Sequence, residues 1–227
     1  MIRVLDIFFS TIALAILSPM LVVISLILAL TGEGKIFYRQ NRVGLNGEMF
    51  GLLKFATMLE NSPNLPGGDI TRGNDPRVLP FGRFLRKTKI NELPQLLNLF
   101  RGDISLIGPR PLTPGNFGFY DEKTQEVISS VKPGLSGVGS IVFRDEEAII
   151  CNSKKETLDF YREDIAPYKG ELEKWFISRQ NVFDYFRFIF LTAWVVMFSR
   201  SLLVWRVFPD LPIPPESLRE LLCYPNS

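Results

Sequence analysis

From Ile7 to Leu30 the chain carries no charged side chain. A helix of roughly two dozen such residues is long enough to cross a hydrocarbon core of about 30 Å. The run exceeds the ~7–15-residue apolar region of a cleaved signal peptide, and no small-residue cleavage site marks its end, so it reads as a retained membrane segment. Ser18-Pro19 falls near its middle, where proline removes a backbone donor and crowds the preceding turn. Two readings follow. One is a kinked helix that spans the bilayer. The other is a helix-break-helix hairpin that enters and leaves by the same face, its freed carbonyls met by the serine or by packed protein. Flanking charge leaves both open: Arg3 lies on one side and Lys35, Arg39 and Arg42 on the other, with no positive-inside asymmetry. Two cytoplasmic ends would satisfy both flanks.

The whole chain has 227 residues, enough for one ordinary core with an appendage. Its formal net charge of +2 gives no bulk attraction to nucleic acid, and none is expected as a partner. Histidine is absent, which excludes imidazole bases, Ser/His/Asp and Cys/His nucleophile arrangements and His metal ligands. Cys151 and Cys223 are too far apart in sequence for a CxxC site. Carboxylates and cations must therefore carry any chemistry.

Beyond Thr31 the segments around Lys35–Tyr38 and Met49–Phe55, joined through Asn46-Gly47, read as a β-hairpin with a type I′ turn. Gly44, Gly47 and Gly51 do not fit a dinucleotide fingerprint. Residues 60–76 have the Asn/Pro/Gly/Asp composition of an ordered loop or a lid. From Asn91, the spacing of Leu93, Leu96, Leu97 and Phe100 predicts a helix with Asn91 as N-cap and Pro94 in its first turn. Such a helix would aim unpaired amides at whatever lies before it, a place that suits phosphate. Residues 132–137 read as a turn, 138–143 as a strand and 156–174 as a polar surface helix. From Val182 to Phe208, Arg187, Arg200 and Arg206 interrupt an aromatic-rich run. An amphipathic helix lying in the headgroup plane, with Trp194 and Trp205 at the interface, fits better than a buried soluble helix.

Arg83, Arg86, Lys87 and Lys89 precede the predicted helix, and Arg101 and Arg110 follow it. Basic runs are often solvated faces or contacts to anionic lipid. Two features favour a site instead: Glu92 is embedded among the cations, and Arg110 is flanked by Pro109 and Pro111, which stiffen the backbone that presents it. Cations, one carboxylate and helix amides suit a metal-bridged diphosphate, since Mg²⁺ takes few protein carboxylates and shares its other positions with phosphate oxygens and water. Asp145-Glu146-Glu147 competes as a metal candidate, with a solvated turn as its simpler reading.

The stretch FGRFLRKTKINELPQLLNLFRGDISLIGPRPL at residues 81–112, with YRQNRVGLNGEMFGLLKFATM upstream and KPGLSGVGSIVFR downstream, resembles the bacterial sugar transferases, the monotopic phosphoglycosyl transferases. The resemblance runs from the membrane segment to about residue 195. It implies transfer of a sugar-1-phosphate from a UDP-sugar to a polyprenyl phosphate, with Mg²⁺, at the cytoplasmic face of a bacterial inner membrane. This is the step that initiates surface glycan or glycoprotein assembly. It implies an α+β, mostly α fold: a monotopic membrane protein with a re-entrant N-terminal helix broken at Ser18-Pro19, a small β-hairpin and interfacial amphipathic helices. The corresponding organisation is a re-entrant segment at 1–31, a cytoplasmic-face catalytic domain at 32–181, and an interfacial helix and tail at 182–227. Membrane lipid is an expected partner, and assembly as a homo-oligomer is compatible with the resemblance. By position, Glu92 matches the metal-binding glutamate of the family's Asp-Glu dyad. Lys54, Arg86, Arg110 and Arg144 match cations around the donor and acceptor phosphates, and Asp103 matches the aspartate of the Gly-Asp pair before the GPRP loop. Asn91 departs from the pattern. It stands where the family has a nucleophilic aspartate, and an amide is a poor nucleophile with no negative charge. Either the chain is active by an altered route, with Glu92 taking over or the lipid phosphate attacking directly, or it is a catalytically silent relative that binds UDP-sugar or lipid phosphate. Ala56, within KFATM, is a smaller departure.

Overall fold

The computed structural model describes residues 1–65, 75–153, 155–198 and 201–225. The chain is mostly helical with two small sheets among these residues, as expected. It divides into two compact units: Arg3–Arg42 with Met49–Asp103, and Val43–Glu48 with Ile104–Ser227. Nine residues of the expected loop at 60–76, numbers 66–74, lie outside the described residues.

In the first unit, α1 (Ile2–Leu30) is one helix that continues through Pro19, so the two arms expected from the sequence belong to a single element. Its hydroxyls are satisfied within it: Thr11 Oγ1 donates to Ile7 O at 2.7 Å, Ser18 Oγ to Ala15 O at 2.9 Å and Ser25 Oγ to Leu21 O at 2.7 Å. That is how a helix carries polar side chains through apolar surroundings. Phe8, Ile12, Ile16, Val22, Val23 and Leu26 are exposed. The helix is long and apolar enough to cross a membrane, and this greasy outer face is compatible with membrane association.

Both ends of α1 are packed. Ile24 and Leu28 form a core cluster with Phe55 and Leu85, joined by Phe81 and Ile90. Leu85 is wholly buried, a contribution of about 1.5–3 kcal/mol. At the other end Arg3 reaches a helix terminus described below, and Asp6 and Ser10 are buried. The hairpin pairs β1 (Phe37–Val43) with β2 (Met49–Phe55). Asn46 (φ 55°, ψ 22°) and Gly47 (φ 76°) both take positive φ, and Glu48 N–H closes on Leu45 O at 3.0 Å. The I′ turn is thus present as expected. Next, α2 (Pro80–Lys87) begins with proline at its first position. It packs so close to Thr57 that a Cβ on Gly82 would lie 2.2 Å from the Thr57 carbonyl oxygen.

The predicted helix at 91 starts later. Residues Ile90–Glu92 form a 3₁₀ turn, and α3 spans Gln95–Arg101. Asn91 is not its N-cap, because its side chain is buried within the preceding turn. Leu96 and Leu99 face inward while Phe100 is exposed, so the apolar stripe is rotated from the predicted one.

The second unit opens with β3 (Ser105–Ile107), crosses through α4 (Pro114–Phe117) and α5 (Glu122–Ser129), and returns in β4 (Gly134–Ser136), parallel to β3. Ser105 pairs with Gly134 and Ile107 with Ser136. The turn expected at 132–137 therefore contains a strand, Gly134–Ser136. The strand expected at 138–143 is a helix, α6 (Val138–Val142). Val138 and Ile141 are both buried at helical spacing, and that burial overrides their β-branched preference.

Then come α7 (Glu146–Cys151), α8 (Thr157–Phe160), a π turn at Tyr161–Ile165 and α9 (Ala166–Ser178). The polar surface helix expected at 156–174 is corrected: Ile165, Ala166, Tyr168, Lys169, Leu172 and Glu173 are all buried. The polar letters conceal a core helix. A reciprocal cap, Asp184 N–H to Asn181 Oδ1 at 2.8 Å and Asn181 Nδ2 to Asp184 Oδ2 at 2.7 Å, starts α10 (Val182–Met197). Its inner face carries Tyr185, Phe188, Leu191 and Val195, and its outer face exposes Phe183, Phe186, Phe190 and Met197. This helix is amphipathic, as expected, but it ends at Met197, and Trp205, expected at an interface, is buried. Phe188 stacks on Phe208, which follows α11 (Leu203–Val207), with 4.8 Å between ring centroids. A last turn, α12 (Glu216–Arg219), completes the unit.

Candidate active site

Asn91 and Glu92 stand on the 3₁₀ turn, which lies against α2 and β2 in the first unit. Lys89, immediately before it, takes φ 60° and ψ 9°. A non-glycine residue in the left-handed region costs about 1–3 kcal/mol and persists only where its surroundings impose it. The consequence is a sharp change of direction that turns Asn91 inward. Asn91 is 7% exposed, and its Oδ1 has no hydrogen-bond partner among the described residues. A buried amide oxygen without a donor is costly. Its neighbour Glu92 is half-buried.

The support below this turn was not legible in the sequence. Asn98, 1% exposed, accepts from Leu53 N–H at 2.9 Å and donates through Nδ2 to Gly51 O and Asp103 Oδ2, both at 2.9 Å. One side chain thereby fixes β2, α3 and the Gly102-Asp103 corner. Asp103 serves here as an anchor for Asn98. At the end of α3, Arg3 donates from Nη1 to Leu99 O and from Nη2 to Phe100 O, each at 2.6 Å. A cation on the last carbonyls of a helix is favourable. Gly102, at φ 92°, leaves room for it, since a Cβ there would lie 2.9 Å from the Arg3 guanidinium.

Lys54 lies on β2, half-buried, and donates to Gln40 Oε1 at 3.2 Å; Arg42 Nη2 donates to the same oxygen at 2.6 Å. Gln40 thus holds two cations on one face of the hairpin. Arg86, on α2, is half-buried, and its charge helps hold the Asp75 carboxyl below the ordinary range. The main cause there is the hydrogen bonding of Arg77, whose Nε and Nη2 grip Asp75 Oδ1 and Oδ2 at 2.9 Å and 2.6 Å. Arg83, Lys87, Lys89 and Arg101 are exposed, and α3 is only seven residues long. These four of the six cations in this sequence window thus lie on the surface, and the helix expected to start among them begins at Gln95.

In the second unit Arg110 is exposed between buried Pro109 and Pro111. Backbone pairing aims it further. Gly108 N–H donates to Ser136 O at 2.8 Å, and Gly134 N–H donates to Pro109 O at 2.7 Å. Arg144 is half-buried, just beyond α6. Of the competing acidic run, Glu146 accepts from Lys169 Nζ at 2.7 Å and Asp145 is exposed.

Among the described residues no three His, Cys, Asp or Glu side chains gather. Glu92, the next residue along the turn from Asn91 and its unpartnered Oδ1, carries one carboxylate. An all-oxygen donor set of this size fits Mg²⁺, which completes its sphere with substrate oxygens and water.

A family model described as bacterial sugar transferase matches residues 1–199. The exopolysaccharide production protein ExoY of Sinorhizobium fredii is 36% identical over 158 residues, 63% of this chain and 70% of that protein. The UDP-glucose:undecaprenyl-phosphate glucose-1-phosphate transferase of Caulobacter vibrioides is 34% identical over 181 residues, 78% of this chain and 64% of that protein. The undecaprenyl-phosphate galactose phosphotransferase of Salmonella typhimurium is 30% identical over 209 residues, 86% of this chain and 40% of that protein.

Proposed function

Because the chain belongs to the bacterial sugar transferase family, we propose that it transfers a sugar-1-phosphate from a UDP-sugar to a polyprenyl phosphate. The products are polyprenyl-diphospho-sugar and UMP, formed at the cytoplasmic face of a bacterial inner membrane as the first step of surface glycan or glycoprotein assembly. The observation that carries this reading is the Asn91–Glu92 pair, a buried unpartnered oxygen beside a half-buried carboxylate on a strained turn.

An oxygen of the lipid phosphate attacks the sugar-bearing phosphorus, and the bond from that phosphorus to the bridging oxygen breaks, its electron pair leaving with UMP. Asn91 has no carboxylate to form a covalent intermediate, so displacement is direct. Lys54, Arg86, Arg110 and Arg144 neutralise phosphate charge, the main demand of phosphoryl transfer. Glu92 would hold Mg²⁺, which when bound spreads the charge of the donor diphosphate. Glu92→Gln is expected to lower UMP release by about 10²–10³-fold with lipid phosphate, Mg²⁺ and a UDP-sugar panel. Retained activity would remove Glu92 from its role. One feature favours the second reading, a silent relative: asparagine keeps the shape of aspartate, so binding survives where turnover is lost. Substrate binding without UMP release from the unaltered chain would decide for it.

Membrane geometry is part of the same proposal. Arg3, at the start of α1, and Leu28, near its end, both pack on the first unit, whereas a helix crossing the bilayer would leave one end on the far side. This supports a re-entrant α1, with the exposed aromatic face of α10 in the headgroup plane. With Cys151 and Cys223 replaced by serine, single cysteines at Arg3 and Lys35 should both react with an impermeant thiol reagent from the cytoplasmic side only. Labelling of the two from opposite sides would overturn the topology.

A further inference from the structure

Lys169 and Glu173 sit one turn apart on α9, 7% and 5% exposed; the function proposed above uses neither. Lys169 Nζ donates to Glu146 Oε1 at 2.7 Å and lies 4.9 Å from the Phe143 ring centroid and 5.6 Å from that of Tyr161. Its charge is therefore committed. Glu173 is different. Its carboxyl faces the backbone amides of Gly139 and Arg110, and its Oε2 has no hydrogen-bond partner among the described residues. Gly139 makes the approach possible, since a Cβ there would lie 2.5 Å from Glu173 Oε1.

We propose that Glu173 is a positioning residue for Arg110: its buried carboxyl, admitted by Gly139, holds the peptide N–H of Arg110 and so fixes the direction in which the guanidinium is presented. Only the anion that Arg110 meets is taken from the function proposed above. The grip on the peptide stands on the geometry of this unit.

The grip is tunable by protons. Desolvation raises the Glu173 carboxyl from 4.5 to about 7, while Lys169 and the two backbone amides pull it down. Lys169 on the same helix and Tyr120 before α5 face it directly, and the charges of Glu146 of α7, Tyr161 of the π turn and Arg110 act on Lys169. A carboxyl raised on folding stabilises the fold fully below 4.5, and that contribution is lost as pH rises through about 7. The ionised form, in turn, accepts a charge-assisted bond from Arg110 N–H, roughly twice as strong as a neutral one. The fold favours the proton and the grip favours its absence. The guanidinium stays charged throughout, so a response near neutrality reports the carboxyl.

Two variants test this. Glu173→Gln removes the charge at constant shape. Gly139→Ala displaces the flexible end of Glu173 with an added methyl, in a helix that favours alanine. Backbone hydrogen exchange across residues 108–112, corrected for intrinsic rates, should speed up in both variants relative to the unaltered protein at about pH 8, by about fivefold or more. The affinity for UDP, whose own ionisation is common to all proteins, should tighten by about fivefold between about pH 6 and about pH 8 in the unaltered protein and lose that component in both variants. If the glutamine variant fails to fold, the alanine variant decides alone. Unchanged exchange at 108–112 in a folded variant overturns the proposal. Faster exchange supports it even where UDP binds none of the proteins, a result that would count against the sugar-phosphate reading instead.

Discussion

Asn91→Asp should raise UMP release by on the order of a hundredfold or more, and should change its requirement for acceptor. The present side chain fills a buried site with a neutral oxygen that accepts no hydrogen bond among the described residues. A carboxylate of nearly the same shape enters that volume with a negative charge and an attacking lone pair. The chemistry then divides into two displacements, with the sugar-phosphate carried on the protein between them. The variant should therefore release about one equivalent of UMP without polyprenyl phosphate and gain the mass of a phosphosugar, whereas the asparagine form should release none until acceptor is added. Unliganded, the variant should also be less stable, because a desolvated carboxyl without its cation is costly. An unaltered rate with no adduct would show that position 91 is not the attacking position, and the assignment of the turn would fall with it.

The second large effect is expected at Gly134. A Cβ there would lie 2.1 Å from Gly108 N, 2.5 Å from Gly108 O and 2.5 Å from Ser136 O. A Cβ on Gly137 would lie 2.1 Å from Gly108 O. These are backbone atoms, so no rotamer change relieves the contact. Gly134→Ala must part β3 from β4 and break the bond from Gly134 N–H to Pro109 O, the residue before Arg110. A loss of about 3 kcal/mol or more is expected in chemical denaturation, together with loss of UDP affinity. Gly118→Ala, whose Cβ would meet only Gly115 O and Pro114 O at 3.4 and 3.5 Å, should lie within about 0.5 kcal/mol of the unaltered protein. Wild-type stability in Gly134→Ala would show that the two strands are not held as described.

What could be read from residues alone was what depends on near neighbours. Asn46-Gly47 specifies its turn through its own dihedral preferences, and Pro109 and Pro111 stiffen Arg110 whatever surrounds them. The apolar run at α1 is legible for the same reason. Where partners are distant, the letters mislead. Asn91 looks like a helix cap because caps are commonly asparagine, yet the left-handed Lys89 turns it into the interior. Lys169 and Glu173 look like a solvent face, and only Glu146, 23 residues from Lys169 in sequence, and the Gly139 gap explain their burial. Asn98 gave no signal, because its partners on β2 lie 45 and 47 residues away. The tight Asp75–Arg77 pair closes a stretch whose composition suggested an ordered loop or a lid.

Arg3 shows how far such dependence extends. Its guanidinium ends on carbonyls 96 and 97 residues along the chain, while Leu28 lies in one cluster with Phe55 and Leu85. The greasy segment that would be cut away first to make the protein easier to handle is thus a structural brace for the turn that bears Asn91. Deleting it would uncover Phe55 and leave the end of α3 uncapped, so loss of activity in a shortened chain would report a damaged scaffold as readily as a missing membrane. Detergent or lipid nanodisc around the entire chain is the preparation in which kinetic differences among site variants can be compared.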